Sequence, residues 1–114
     1  MDQVDLQLLK SKWEALTLQL ADQFGEEPDL QAIIFLIGVQ ELGKGPQKFS
    51  KDEKQDLMHI ATCRLLSEFD YYELEGADQE GWPHWKLIKP LPPLSLKEQD
   101  LLLKQAVLMY FENS

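Results

Sequence analysis

Apolar positions along the chain fall into four stretches with helical spacing and two short stretches with strand spacing. Leu6, Leu9, Trp13, Leu16, Leu20 and Phe24 recur every three or four residues and form one stripe of a helix over residues 2–24. Gln7, Lys10, Glu14, Thr17 and Gln19 fall on the opposite face and are expected in water. Asp2 is the expected N-cap and Gly25 the expected stop.

A second helix is expected over residues 28–43, with Pro28 at its first position. Its Leu30, Ile33, Ile34, Phe35, Leu36, Ile37, Val39 and Leu42 are apolar nearly all round, which predicts a central element buried on most sides. Gly38 would let a neighbour approach closely. Gly43-Lys44-Gly45-Pro46 reads as a loop. Ser50-Lys51-Asp52-Glu53 is a capping box that opens a third helix over residues 50–68, with Leu57, Met58, Ile60, Ala61 and Leu65 inward.

Residues 71–89 read as a β-hairpin, with strand-like Tyr71–Glu75 and Trp82–Lys89 joined by a Gly-bounded loop. Alternation puts Tyr72 and Leu74 on one face of the first strand, and Trp85 and Leu87 on one face of the second. Pro83 cannot donate to a ladder and marks an edge or a bulge. The Lys89–Leu94 stretch holds three prolines and is a stiff connection. Ser95-Leu96-Lys97-Glu98 is a second capping box, opening a fourth helix over residues 95–112. That helix has more apolar residues than one buried stripe needs, so part of it is expected to face a second subunit. The fold class is mainly α, four helices with one β-hairpin between the third and fourth, in a single domain over residues 1–114.

Charge narrows the partners. Eleven Lys and Arg against twenty Asp and Glu give a net charge of −9. Binding to nucleic acid rests on cations that neutralise phosphates, and a net anion is repelled by DNA, RNA and anionic membranes. The best local basic patch, Lys44, Lys48, Lys51 and Lys54, is interrupted by Asp52, Glu53 and Asp56. Neither nucleic acid nor membrane is an expected partner. The longest apolar run, residues 32–37, is far short of the roughly 20 residues that cross a bilayer. Cys63 is the lone cysteine, so no internal disulfide forms, and the acidic Met1–Asp5 start lacks the features of a signal peptide. The expected location is the cytoplasm.

Gly81-Trp82-Pro83-His84-Trp85-Lys86 is the densest chemistry in the chain, and it follows six acids unrelieved by a base (Glu68, Asp70, Glu73, Glu75, Asp78, Glu80). Tryptophans either anchor a core or form a contact surface. The first reading packs Trp85 onto the helices and lets Trp82 cover an edge. The second makes Trp82, His84 and Trp85, with Tyr71, a binding surface. His59 and Cys63 share a helix face at i, i+4 and, with His84, form the one metal-ligand set worth naming. The chain has no second cysteine to support it, and the expectation is no metal and no cofactor. The hairpin acids lack EF-hand spacing. Glu41, Glu53 and Asp56 are the nearest set for a magnesium-dependent hydrolase. No nucleophile elbow, phosphate loop or dinucleotide fingerprint is present, and no catalytic residue is expected.

Four stretches, Phe35–Gly43, Gln55–Cys63, Tyr71–Gly76 and Gly81–Trp85, resemble a family of short, acidic, uncharacterised bacterial proteins. The resemblance covers roughly residues 27–112 and implies a bacterial, cytoplasmic protein with no assigned activity. The function expected is a non-enzymatic protein-interaction or adaptor role on the aromatic hairpin, with a protein partner or self-association through the fourth helix. The alternatives are a winged-helix-like regulator with little DNA affinity, since its wing would be the most acidic segment, and a small metal-binding protein or hydrolase.

Overall fold

A computed structural model describes residues 3–45 and 47–113, with side chains from residue 6 onward. Helix α1 spans Gln3–Phe24, α2 Leu30–Leu42 and α3 Lys51–Leu66. A 3-10 turn, Ser67–Phe69, follows α3, then strands β1 (Tyr72–Ala77) and β2 (Pro83–Leu87), and α4 over Leu96–Glu112. The protein is thus mainly α, with one antiparallel hairpin between α3 and α4.

The predicted stripes are the buried ones. In α1, Leu9, Leu16 and Leu20 are buried, with Leu6, Trp13 and Phe24 half-buried. Thr17 departs from expectation: it is buried, and its hydroxyl donates to the Glu14 carbonyl, which lets a small polar side chain enter an apolar contact. The expected cap Asp2 lies outside the described residues. α2 is central, with Ile33 and Ile37 fully buried and Phe35, Leu36 and Val39 half-buried. Its start differs from expectation. Asp29, not Pro28, opens it: the Asp29 carboxylate accepts from the Ala32 amide at 2.9 Å, and the first helical residue is Leu30. A side-chain cap that satisfies a free amide outweighs proline's preset φ. Pro28 is buried just before the cap.

Gly38 sits where α2 crosses α3, and a Cβ there would overlap the Leu57 carbonyl. Its lack of a side chain sets how closely those helices pack. Both capping boxes form as predicted, Ser50 with Glu53 and Ser95 with Glu98. α3 buries Leu57, Ile60, Ala61, Leu65, Leu66 and Cys63. It stops two residues before the expected end, where Arg64 and the 3-10 turn give way to a left-handed Asp70.

A polar cluster joins three elements of this core. The Tyr110 hydroxyl of α4 donates to Glu41 Oε2 of α2 at 2.9 Å, and Arg64 of α3 reaches Glu41 at 3.6 Å and Glu68 at 2.8 Å. The Arg64 guanidinium also lies 5.2 Å from the Tyr110 ring centroid. Burial, reinforced by the Glu41 bond, pushes the Tyr110 hydroxyl up to about 12.

α4 spends its apolar residues on several neighbours. Ala106, Val107 and Tyr110 are buried, and Leu101, Leu102, Leu103, Leu108, Met109 and Phe111 are half-buried. Between α1 and α4 a groove of about 610 Å³ is left, lined by Leu8, Leu9, Leu108 and Met109 and bridged by a Lys12–Glu112 ion pair at 3.4 Å. The described residues include no helix long and apolar enough to cross a membrane.

Candidate functional site

The hairpin register pairs Tyr72 with Leu87 and Leu74 with Trp85, so the predicted apolar face forms. Glu73 stands opposite Lys86 without closing an ion pair. The ladder slips between Leu74 and Gly76, giving β1 a bulge at Glu75. Pro83 is the first residue of β2, paired with Ala77, where its missing N–H costs no ladder bond.

Against α3 this hairpin encloses a cleft of about 420 Å³. Glu53, Asp56, His59 and Ile60 line one side, at spacings that place all four on one face of α3. Asp78, Glu80 and Trp82 of the hairpin loop, with Pro83, His84 and Trp85 of β2, line the other.

Asp78 organises the loop. Its Oδ1 accepts from the amides of Glu80 (2.9 Å) and Trp82 (3.0 Å), and its Oδ2 lies 3.0 Å from His84 Nε2. The His84 bond, then the Trp82 amide, hold this carboxyl below the usual aspartate range. Gly81, with φ of 88°, supplies the left-handed turn that returns the chain to Trp82. Lys44 donates to the Glu80 carbonyl and ties the loop to the connection between α2 and α3.

Both cleft tryptophans are half-buried, a position between the two sequence readings. The Trp85 indole Nε1–H is itself buried and has no hydrogen-bond partner among the described residues. Of the four acids, Glu53 is engaged by the Ser50 amide at 2.9 Å and Asp78 by the loop. The carboxylates of Asp56 and Glu80 have no hydrogen-bond or ion-pair partner among the described residues, and no Lys or Arg lines the cleft.

The structure thus brings Trp82, His84 and Trp85 together and leaves Tyr71 out: the Tyr71 ring carries the Lys89 ammonium at 4.4 Å from its centroid, away from the cleft. The His59–Cys63–His84 set does not assemble. His59 Nε2 is 3.6 Å from Cys63 Sγ, but His84 turns to Asp78. Cys63 is 1% exposed and burial pushes its thiol up to about 11, against a hydrogen bond from Tyr72, so it is an inert core residue. Glu41, bonded to Tyr110, lies apart from the magnesium set of Glu53 and Asp56. Among the described residues no three His, Cys, Asp or Glu side chains are placed to hold a metal ion.

Sequence reasoning named Glu53, Asp56 and His59 only in separate metal sets and missed that together they form the α3 side of this cleft. The signal was available: Glu53, Asp56 and His59 recur at three-residue steps, which selects one helix face. It also missed Asp78 as the loop's organiser, although an Asp followed three residues later by Gly is a turn signature. Comparison with family models, curated proteins and solved structures finds no match.

Proposed function

We propose that this protein is a non-enzymatic interaction module whose contact surface is the cleft between α3 and the hairpin. The observation that carries the reading is the placement of Trp82 and Trp85: two large aromatic side chains half-buried in one open cleft instead of sunk in the helical core. Aromatic side chains so placed dominate protein contact energetics, because they bury much area for little lost side-chain freedom. Asp78 fixes the loop before any partner arrives, which lowers the entropic cost of binding.

Removing the indole tests this. Trp82→Ala should cost less than about 1 kcal/mol of stability, as for a side chain outside the core, and should abolish capture of a partner by the immobilised protein. A melting temperature that falls as far as for a core truncation would make Trp82 structural and defeat the reading.

The groove between α1 and α4 supports a second reading, self-association through α4, because Leu8 on its rim is 53% exposed. Native mass spectrometry separates monomer from dimer directly. The single free cysteine fits a reducing compartment and supports the cytoplasm as the proposed location.

A further inference from the structure

We propose that the occupant of this cleft is a basic segment of a protein partner, with an Arg or Lys side chain laid against Trp82 and Trp85 and its charge facing Asp56 and Glu80. The inference rests on the reading of the cleft as a contact surface and names what that surface takes.

Two observations point to a cation, and a third marks the cleft as shaped for contact. The first is charge left over. The cleft holds acids on both sides, and two of them, Asp56 from α3 and Glu80 from the loop, have no partner among the described residues. Lys44, the cation bonded to this loop, takes a backbone carbonyl and neutralises no carboxylate among the described residues.

The second is the state of the aromatic rings. Elsewhere the protein sets its own cations over aromatic rings: Lys104 over half-buried Trp13 at 5.4 Å, Lys89 over half-buried Tyr71 at 4.4 Å and Arg64 over buried Tyr110 at 5.2 Å. The rings of Trp82 and Trp85 carry no such cation among the described residues, although indole is the best of the aromatic faces for one. Cleft-lining indoles without a cation of their own among the described residues, beside unpaired carboxylates, make the two halves of a guanidinium or ammonium site.

The third is the Trp85 indole N–H, buried and unbonded among the described residues. Leaving a buried donor unsatisfied costs about 1–3 kcal/mol. A site shaped only for stability would have removed that cost, whereas a site that needs an indole face at this position tolerates it. The volume of about 420 Å³ takes a few side chains of an extended segment, not a folded domain.

The test uses the full chain with Trp13→Phe, so that fluorescence reports on Trp82 and Trp85 alone. Acetylated tetra-arginine amide, spermine of equal charge, and tetra-glutamine amide are titrated separately. The peptide tetra-arginine should quench or shift the emission, bind more tightly than spermine, and weaken as salt rises. Asp56→Asn with Glu80→Gln should reduce its affinity at least fivefold at an unchanged melting temperature, because neither carboxylate holds the fold. Glu26→Gln with Glu27→Gln removes the same charge from the exposed connection between α1 and α2 and should leave affinity within twofold.

Equal losses in the two double variants would overturn the inference, because attraction would then follow net charge alone. Spermine binding as tightly as the peptide would overturn the assignment to a protein segment. Tetra-glutamine binding as tightly as tetra-arginine, and lost in Trp82→Ala, would refute the cation while leaving the contact surface standing. Partner capture that survives Trp82→Ala would instead remove the contact surface itself.

Discussion

Two polar clusters of this protein are built from the same kinds of side chain and end in opposite states. In the helical core, Tyr110, Glu41, Arg64 and Glu68 answer one another: hydroxyl to carboxylate, carboxylate to guanidinium, guanidinium to ring. In the hairpin cleft, among the described residues, Asp56 and Glu80 are unanswered, two indole rings carry no cation, and one buried indole N–H has no partner. Burying polar groups without partners is expensive, so a core closes its networks. An open cluster beside a closed one marks where the chain's chemistry is directed outward.

The comparison sharpens under substitution, and the largest effect belongs to the core. Ile37 is fully buried in the centre of α2, and Ile37→Ala should cost about 2–5 kcal/mol in denaturant unfolding, lost burial and residual cavity together. A cost well below that range would mean that α2 is not the central element.

Within the closed network the effect is smaller. Tyr110→Phe keeps the ring and removes the donor to Glu41, so stability should fall by about 1–2 kcal/mol. Below pH 10.0, the ordinary tyrosine value, this contribution should be constant. It should disappear as pH rises through the folded value of about 12, because burial favours the neutral hydroxyl. The comparison breaks if Trp82→Ala, the corresponding change in the open cluster, costs more than Tyr110→Phe.

The smallest effect is local. Asp78 has its carboxyl held below 3.8, the ordinary aspartate value, by His84 and the Trp82 amide, so the loop gains stability above that pH and loses it as pH falls through the lower folded value. Protection of the Glu80 and Trp82 amides, taken relative to the intrinsic exchange rate at each pH, should therefore fall in acid while the core helices remain protected. Asp78→Asn should show the faster loop exchange already at neutral pH. Equal exchange in the two proteins would leave the loop without its assigned organiser.

The parts legible in the sequence are those set by short-range periodicity. The apolar stripes of α1 and α3, both capping boxes and the facing pairs of the hairpin follow from spacing within one element. Pro28 misled because two starting signals compete within two residues, and the side-chain cap at Asp29 won. The cleft was half legible. Trp82, His84 and Trp85 stand together in sequence, but the acids that face them come from α3, roughly twenty-five residues earlier, and only tertiary packing joins the two. Tyr71 looked equivalent to the cleft aromatics until the fold supplied its partner, Lys89, which also bonds the Phe69 carbonyl at 2.9 Å.

The most direct measurement follows the indole N–H signals of the three tryptophans by NMR as acetylated tetra-arginine amide is added. The account predicts that the Trp82 and Trp85 signals move with one saturation curve while Trp13, already covered by Lys104, stays in place. Movement of Trp13 together with the others, or no movement of the cleft pair at saturating peptide, would contradict it.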